Sequence, residues 1–187
     1  MDPASASHEQ FEQLAMPLFD ALYNLARWLT RDESEAEDLV QESFVKALRG
    51  FGSFTTGTDF RAWMFRILRN TFLTSRTGLQ AKLTVPLEPD DEESMGVTRE
   101  TPESFALASA TREALQAALE ELPIAYREVI LLCDVEEMKY SEIAEVLSVP
   151  IGTVMSRVAR GRRLLRQALA SERVVSGGRG KSEQEKR

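Results

Sequence analysis

The chain has 187 residues, of which 43% are hydrophobic and 28% are charged, and its formal net charge is −7. This composition is ordinary for a soluble globular protein and supplies core material for two modest helical bundles. The single cysteine, Cys133, excludes an intrachain disulfide and a cysteine-based metal cage. Neither a run of about 18 apolar residues nor a signal-peptide pattern occurs, so we expect a cytoplasmic protein without membrane insertion.

Helical spacing of apolar residues covers the first part of the chain, from Phe11 to Arg76. The apolar residues of this region include Leu14, Leu18, Leu22 and Leu25, then Leu39, Phe44, Val45 and Leu48, then Trp63, Ile67 and Leu68. They recur at the spacing of helices that bury one face, and strand signals are absent. We predict a helical domain over residues 10–80 that follows a disordered N-terminus over residues 1–9.

A polar face runs along the predicted helix from Glu35 to Leu48. Asp38, Gln41 and Glu42 lie on or near this face, whereas Phe44 and its apolar neighbours can turn inward. Acidic residues near a helix N-terminus are also favoured by the helix dipole. The pattern alone therefore fits simple helix electrostatics and a docking surface about equally well.

A Gly- and Thr-rich loop over residues 51–60 precedes a segment in which basic and aromatic residues are interleaved. The basic residues are Arg61, Arg66, Arg69 and Arg76, and the aromatic residues are Phe60, Trp63, Phe65 and Phe72. This mixture suits single-stranded nucleic acid, because guanidinium groups contact phosphates and rings accept stacked bases. The alternative is that most of these rings are core residues, which we expect for Trp63 and Phe72.

An acidic, proline-containing segment follows the first domain. Residues 81–108 hold two basic and seven acidic side chains, with prolines at 86, 89 and 102. Such a composition does not form a core. We predict a flexible linker over residues 81–107, a second helical domain over residues 108–171, and a disordered tail over residues 172–187.

The second domain contains a predicted helix-turn-helix from Tyr140 to Arg157, which is followed at once by Arg160, Arg162, Arg163 and Arg166. Pro150 suits the start of the second helix, where no amide donor is needed, and Gly152 leaves room for another backbone. On a helical wheel one apolar stripe contains Val154, Val158 and Leu165, with Gly161 beside it. The opposite face is predicted to point outward and contains Thr153, Ser156, Arg157, Arg160 and Arg163.

The charge of this second helix favours a polyanion as its ligand. Residues 151–171 contain five arginines and no Asp or Glu. A solvated surface helix normally interleaves acids with bases, which is the alternative interpretation. Because the chain as a whole is acidic, we expect it to bind duplex DNA weakly when alone and to need a partner that carries it there.

Five segments, in order, resemble the conserved regions of extracytoplasmic-function (group IV) RNA polymerase sigma factors of the sigma-70 family. The segments are Asp38–Phe44, the loop around Phe54, Arg61–Asn70, Leu122–Leu131 and Tyr140–Arg163. The resemblance implies an all-α fold of two small bundles, a σ2 domain over residues 10–80 and a σ4 domain over residues 108–171, without a σ3 domain. The start Phe11–Leu18 also resembles the subgroup that answers thiol-oxidative stress under zinc-containing anti-sigma factors.

The resemblance also implies roles for the segments described above. Core polymerase would be bound through the β′ clamp helices and the β flap, by Asp38, Gln41, Glu42 and Phe44 on the σ2 side. The −10 element would be bound, with one base flipped into the loop, by Phe54, Thr55, Arg61, Trp63, Arg66, Arg69 and Asn70. The −35 element would be bound by Thr153, Ser156, Arg157, Arg160 and Arg163. No catalytic residue, metal or cofactor is implied. The chain is expected to direct transcription of a stress regulon and to be controlled by an anti-sigma factor.

Two features limit the transfer of promoter specificity, and two other function classes remain open. Met155 and Ala159 stand where many relatives carry a basic and an aromatic residue, so the base preference cannot be copied. A helix-turn-helix regulator independent of core polymerase would need a dimerisation seam, which is not visible. An enzyme would need a phosphate loop, metal cluster or nucleophile–base pair, and the only histidine, His8, lies in a polar N-terminal segment.

Overall fold

A computed structural model of the chain describes residues 3–55, 57–76 and 112–178, with side chains described between residues 7 and 171 of those ranges. These residues form eight α-helices and no β-strand, so the predicted all-α fold is confirmed. The predicted linker over residues 81–107 lies outside the described residues. None of the described helices is long and apolar enough to cross a bilayer.

Four helices form the N-terminal domain. They are α1 (Pro3–Ala15), α2 (Phe19–Thr30), α3 (Glu33–Gly50) and α4 (Phe60–Ser75). Short 3-10 turns at Met16–Leu18 and Phe51–Ser53 follow α1 and α3. The start of α3 is fixed by Asp32, whose Oδ1 accepts the Glu35 amide at 2.9 Å, and the start of α4 by Asp59, whose Oδ1 accepts the Ala62 amide at 3.1 Å.

The C-terminal domain also contains four α-helices. They are α5 (Arg112–Glu121), α6 (Ile124–Ile130), α7 (Tyr140–Leu147) and α8 (Ile151–Gly178), and a π-helical turn, Leu131–Val135, extends α6. Helix α7 ends at Ser148, whose φ of 55° is left-handed. The Pro150 carbonyl then accepts the first amides of α8, from Thr153 at 2.9 Å and Val154 at 3.2 Å. Helices α7 and α8 are the predicted helix-turn-helix.

The structure corrects two expectations about the chain ends. Residues 3–9, predicted as disordered, belong to α1, which begins with proline at a position that needs no amide donor and is anchored by buried Phe11 and Ala15. Residues 172–178, also predicted as disordered, continue α8. No proline interrupts this helix, and buried Leu169 holds its described part against the domain.

Glycine has a packing role at a different position from the one predicted. A Cβ added to Gly152 would have no heavy atom within 4 Å, so no backbone approaches it. A Cβ on Gly161 would instead lie 2.9 Å from Cγ1 of Ile130. Gly161 therefore allows α8 to pack closely on α6, which holds the helix-turn-helix to its domain.

The two domains pack against each other. Their buried apolar side chains form one cluster that includes Leu68 of α4 and Ile143 of α7, and α4 packs directly on α7. The first helix of the helix-turn-helix therefore lies against the segment in which arginines and aromatic residues are interleaved.

Candidate nucleic-acid interface

The loop before α4 is organised around a cluster of aromatic rings. Phe54 stacks on Phe51 with ring centroids 6.1 Å apart and meets Phe60 edge-on at 5.2 Å. The Trp63 ring lies 5.3 Å from Phe54 on a further side. Because Phe54 is half-buried among these rings, its side chain forms a preformed wall of the loop. Trp63, expected in the core, is half-buried, whereas Phe72 is fully buried.

A cavity of about 430 Å³ opens beside this aromatic wall. Its lining residues are Ser7, Gln10, Leu14, Phe51, Phe54, Gly57, Thr58 and Phe60. The turn at its rim is held by the Thr55 carbonyl, which accepts the Thr58 amide at 3.1 Å and the Thr58 hydroxyl at 2.8 Å. Gly57 has a φ of 98°, which an L side chain rarely adopts. Aromatic walls and nearby hydroxyl and amide groups suit a planar heterocycle.

Two polar residues of α4 that were predicted to contact DNA face solvent. Arg66 and Asn70 are exposed and lie one helical turn apart. The backbone carbonyl of Asn70 accepts the Thr74 hydroxyl at 2.8 Å, one turn further along the helix. These two residues share one exposed face of α4.

Arg69 is buried in the contact between the domains. Only 8% of Arg69 and 2% of Glu128 are exposed. The Arg69 Nε donates to Oε2 of Glu128 at 2.9 Å and Nη2 donates to Oε1 at 3.1 Å, which is the two-point geometry that guanidinium groups form with carboxylates. Nη1 donates to the Leu147 carbonyl at 3.3 Å. All three acceptors belong to the C-terminal domain.

Arg61 makes a similar contact at the other end of the same face. Its Nη2 donates to the carbonyl and to Oε2 of Glu136, each at 2.7 Å. The guanidinium lies 5.4 Å from the centre of the Phe65 ring. Arg61 is half-buried and the Glu136 carboxylate is 9% exposed. Arg61 and Arg69, predicted to contact DNA, thus both hold carboxylates of the C-terminal domain.

The polar face of α3 is exposed. Asp38, Gln41 and Glu42 all face solvent, and Glu42 pairs with Lys46 one turn later at 2.7 Å. Phe44 is half-buried and meets the Phe11 and Phe19 rings edge-on at 6.4 and 5.9 Å. The exposed acidic side chains therefore belong to a helix whose opposite side is held in place by the packing of Phe44 on two other aromatic rings.

Helix α8 buries the predicted stripe but presents a different outer face. Val154, Val158, Gly161 and Leu165 are buried, as the wheel predicted. Among the five residues predicted to point outward only Arg163 is exposed, whereas Thr153, Ser156, Arg157 and Arg160 are half-buried. The most exposed stripe contains Ile151, Met155 and Ala159, and Met155 is 43% exposed.

Local contacts explain why the polar face of α8 is half-covered. The Arg160 guanidinium lies 5.9 Å from the centre of the Tyr126 ring of α6, and the Ser156 hydroxyl donates to the Thr153 carbonyl at 3.1 Å. Long arginine side chains lay their aliphatic stems on a neighbouring helix while the charged head stays near water. The wheel assigns angles around one helix and contains no information on its neighbours.

Arg127 and Glu128, for which the sequence predicts no specific role, both contact the N-terminal domain. The Arg127 guanidinium donates to the carbonyls of Leu119, Glu120 and Leu122 at 2.8, 2.7 and 2.8 Å, and to the Trp28 carbonyl of α2 at 3.2 Å. Burial and the nearby Arg31 cation lower the pKa of Arg127 to about 10. The available signal was the pair of charges inside an otherwise apolar helix, Ile124–Ile130.

Cys133 lies beside an ion pair of the C-terminal domain. Arg162 donates from Nε to Oδ2 of Asp134 at 3.1 Å and from Nη2 to Oδ1, and Nη2 is 3.6 Å from the Cys133 sulfur. Burial and the Asp134 carboxylate raise the pKa of the thiol to about 11. Cys133 is therefore a protonated, half-buried packing residue at neutral pH. Among the described residues no group of three or more His, Cys, Asp or Glu could hold a metal ion.

Comparison with known proteins decides the family. The sequence pattern of sigma-70 region 2 matches residues 14–81, and that of sigma-70 region 4 matches residues 112–165. The chain is 32% identical over 158 residues to the ECF RNA polymerase sigma factor SigW of Bacillus subtilis, covering 80% of this chain and 83% of that protein. The chain belongs to the ECF RNA polymerase sigma factors. This family consists of transcription initiation factors and not of enzymes.

Further similarities are consistent with this family. The chain is 36% identical over 167 residues to the ECF sigma factor SigE of Mycolicibacterium smegmatis, covering 85% of this chain and 64% of that protein. It therefore spans slightly less than two thirds of the length of that relative. Its fold is similar to the sigma factor RpoE in a co-crystal structure with the anti-sigma factor NepR from Bartonella quintana, with 27% identity and a TM-score of 0.66, covering 87% of this chain and 98% of that chain.

Proposed function

We propose that this chain binds core RNA polymerase and directs it to promoters with specific −10 and −35 elements. The observation that carries the proposal is the presence of two sigma-70 regions, in order, in a chain whose N-terminal domain has both an aromatic-walled cavity and an exposed Arg66. Transcription from a linear promoter template by core polymerase, with and without the chain, tests it. Initiation that does not depend on both the chain and the promoter would contradict it.

In this proposal the cavity beside Phe54 receives a base flipped out of the −10 element. Flipping costs a few kcal/mol of unstacking, which contacts in the cavity must offset. The ring of Phe54 supplies a stacking surface, and base–aromatic stacking contributes about 1–3 kcal/mol. The hydrogen bonds from Thr58 to the Thr55 carbonyl would maintain the shape of the cavity rim in the absence of DNA.

The strand that carries the flipped base would then run along α4. Arg66 and Asn70, which are exposed, would contact its phosphates and base edges. Arg61, Arg69 and Trp63 belong to the same predicted set, but both arginines are held by carboxylates in this structure. Contact between DNA and these two arginines therefore requires a different arrangement of the domains.

The −35 element would be bound by α8 in the major groove, as in other helix-turn-helix proteins. Arg163, which is exposed, would contact phosphate, and the half-buried Thr153, Ser156, Arg157 and Arg160 precede it along the same helix. Phosphate contacts position such a helix, whereas base contacts specify the sequence. In this proposal Met155 and Ala159, which lie on the most exposed stripe of α8, would face the base edges.

Core polymerase would dock on α3 through Asp38, Gln41, Glu42 and Phe44, with the β′ clamp helices as their partner and the β flap as the partner of the C-terminal domain. Two features support this role: the acidic side chains of α3 are exposed, and α3 packs through Phe44 on the rings of Phe11 and Phe19. Replacing Asp38 and Gln41 together with alanine should lower affinity for core polymerase and leave the helical content unchanged. Wild-type affinity in a titration would contradict the docking helix, and Glu12→Ala, on the exposed side of α1, is the matched control.

An anti-sigma factor is the proposed regulator, and the chain would act in the cytoplasm on a stress regulon. The support is the similarity to a sigma factor crystallised with an anti-sigma factor. A zinc-containing partner follows only from the resemblance of Phe11–Leu18. Transcription that is blocked by a co-expressed anti-sigma candidate, and restored when that candidate loses its zinc, would support this proposal.

A further inference from the structure

We propose that the C-terminal domain locks the DNA-contacting face of the N-terminal domain, with Glu128 and Glu136 occupying the arginines that a promoter strand would bind. We name the two pairs, Arg69–Glu128 and Arg61–Glu136, the interdomain lock. The inference rests on the proposed function, because it assigns a regulatory meaning to residues of the −10 site. It concerns contacts within this chain, which can be measured without polymerase or DNA.

The two carboxylates take the place of phosphate groups. The Arg69 guanidinium donates two hydrogen bonds to the Glu128 carboxylate, at 2.9 and 3.1 Å. Nη2 of Arg61 donates to the Glu136 carboxylate at 2.7 Å. Guanidinium groups bind carboxylates and phosphates with the same two-point geometry. A strand that needs these arginines must therefore displace the carboxylates, so the lock and the strand compete for the same donors.

The lock covers only one part of the candidate DNA site. Every described lining residue of the cavity beside Phe54 belongs to the N-terminal domain, and Arg66 and Asn70 are exposed. In the locked chain the cavity and the face of α4 that carries Arg66 and Asn70 therefore remain accessible to DNA, whereas Arg61 and Arg69 are already paired. We expect weak binding of single-stranded −10 DNA in this state rather than none.

The charged groups of the lock can separate without leaving a buried charge unpaired. The partners of each pair lie on different domains, so separation of the domains opens both pairs at the interface, where water can solvate the charges. A buried pair gains little net stability over its hydrated components, but it strongly penalises the loss of one partner. The lock therefore favours one arrangement of the domains and remains reversible.

Further contacts reinforce the closed arrangement without using the DNA-contacting residues. Arg127 donates to the Trp28 carbonyl at 3.2 Å, and Arg31 donates to the Glu120 carbonyl. Helix α7 of the helix-turn-helix packs on α4. A ligand that prefers the open arrangement, such as core polymerase or promoter DNA, shifts the equilibrium by its differential affinity.

The test measures the distance between the domains in the full chain. Spin labels are placed on cysteines introduced at exposed Glu37 and Gln167, in a Cys133→Ser background. The closed chain should give one narrow distance distribution. Glu128→Gln together with Glu136→Gln should broaden and lengthen it, whereas Glu145→Gln, an exposed acid on α7, should leave it unchanged. An unchanged distribution in the double variant overturns the proposal.

A charge exchange provides the second variant. Arg69→Glu combined with Glu128→Arg rebuilds the pair in reverse, and it should restore the narrow distribution relative to Arg69→Glu alone. If the reversed pair behaves like Arg69→Glu alone, the lock does not depend on this pair and the proposal fails. Circular dichroism identifies any variant that does not fold, and the single substitution Glu136→Gln then replaces the double variant, with the same two outcomes.

Binding of a single-stranded −10 oligonucleotide connects the lock to function. If the open arrangement is populated to about 10% or less, releasing the lock should raise the affinity of the free chain about tenfold or more. Glu145→Gln should bind as the wild type does. A longer distance without tighter binding would refute the competition with DNA, whereas failure of core-dependent transcription would refute the proposed function and leave the distance result standing.

Discussion

The two polar faces of α4 carry the same kinds of residues but lie in opposite environments. Arg66 and Asn70 face solvent, whereas Arg61 and Arg69 hold carboxylates of the C-terminal domain. Helix α8 repeats the contrast, because Arg163 is exposed while Arg160 lies over the Tyr126 ring. An arginine in an apparent nucleic-acid motif is therefore either available or already engaged, and the difference depends on the neighbouring helix.

Removing the core beneath α4 should have the largest effect, because both faces depend on it. Phe65 is fully buried, and its ring lies below the Arg61 guanidinium. Phe65→Ala should lower the free energy of unfolding by about 3–5 kcal/mol, as for other buried phenylalanines. Chemical denaturation measures this loss. Phe19→Ala, at a ring that is 42% exposed, is the control, and an equal loss in both variants would show that Phe65 does not support the helix as described.

The two faces of α4 should respond differently to polymerase. A hydrogen bond to a charged group contributes about 1.5–3 kcal/mol, so Arg66→Ala should weaken binding of a −10 oligonucleotide by about tenfold or more, with or without core polymerase. Arg69→Ala should have a comparable effect only in the polymerase complex, since Arg69 is held by Glu128 in the free chain. Fluorescence anisotropy with both forms measures this. Equal losses in both settings for both variants would remove the distinction between the faces.

Much of the fold could be predicted from the sequence, because it depends on local patterns. The spacing of Val154, Val158 and Leu165 predicts the buried side of α8, and all three are buried. The pairing of Arg69 with Glu128, 59 positions apart, depends on how the two domains pack. No helical period contains that information, so the sequence could not predict that Glu128 holds Arg69 in the free chain.

The exposed and half-buried arginines of α8 should differ in the same way, with smaller effects. Each phosphate contact that is lost lowers the slope of log affinity against log salt by about one. Arg163→Ala should produce this change in binding of a −35 duplex without altering thermal stability. Arg160→Ala should also reduce stability by about 0.5–1 kcal/mol, because its guanidinium packs on Tyr126. Identical melting temperatures for the two variants would contradict the difference in environment.

Arg162 is a third kind of arginine, held by Asp134 of its own domain, and the neighbouring Cys133 reports on that environment. The pKa of the Cys133 thiol rises from 9.0 to about 11 in the folded chain, through burial and Asp134. Between these values the unfolded chain releases the proton while the folded chain keeps it. The resulting stability is present in full below pH 9 and is lost as the pH rises towards 11.

The wild type should therefore lose unfolding free energy relative to Cys133→Ser as the pH rises through this range. Denaturation of both proteins at pH 8 and at pH 10.5 measures the difference. A difference that is independent of pH would show that the thiol ionises as easily in the folded chain as in the unfolded one, so that neither burial nor Asp134 restrains it.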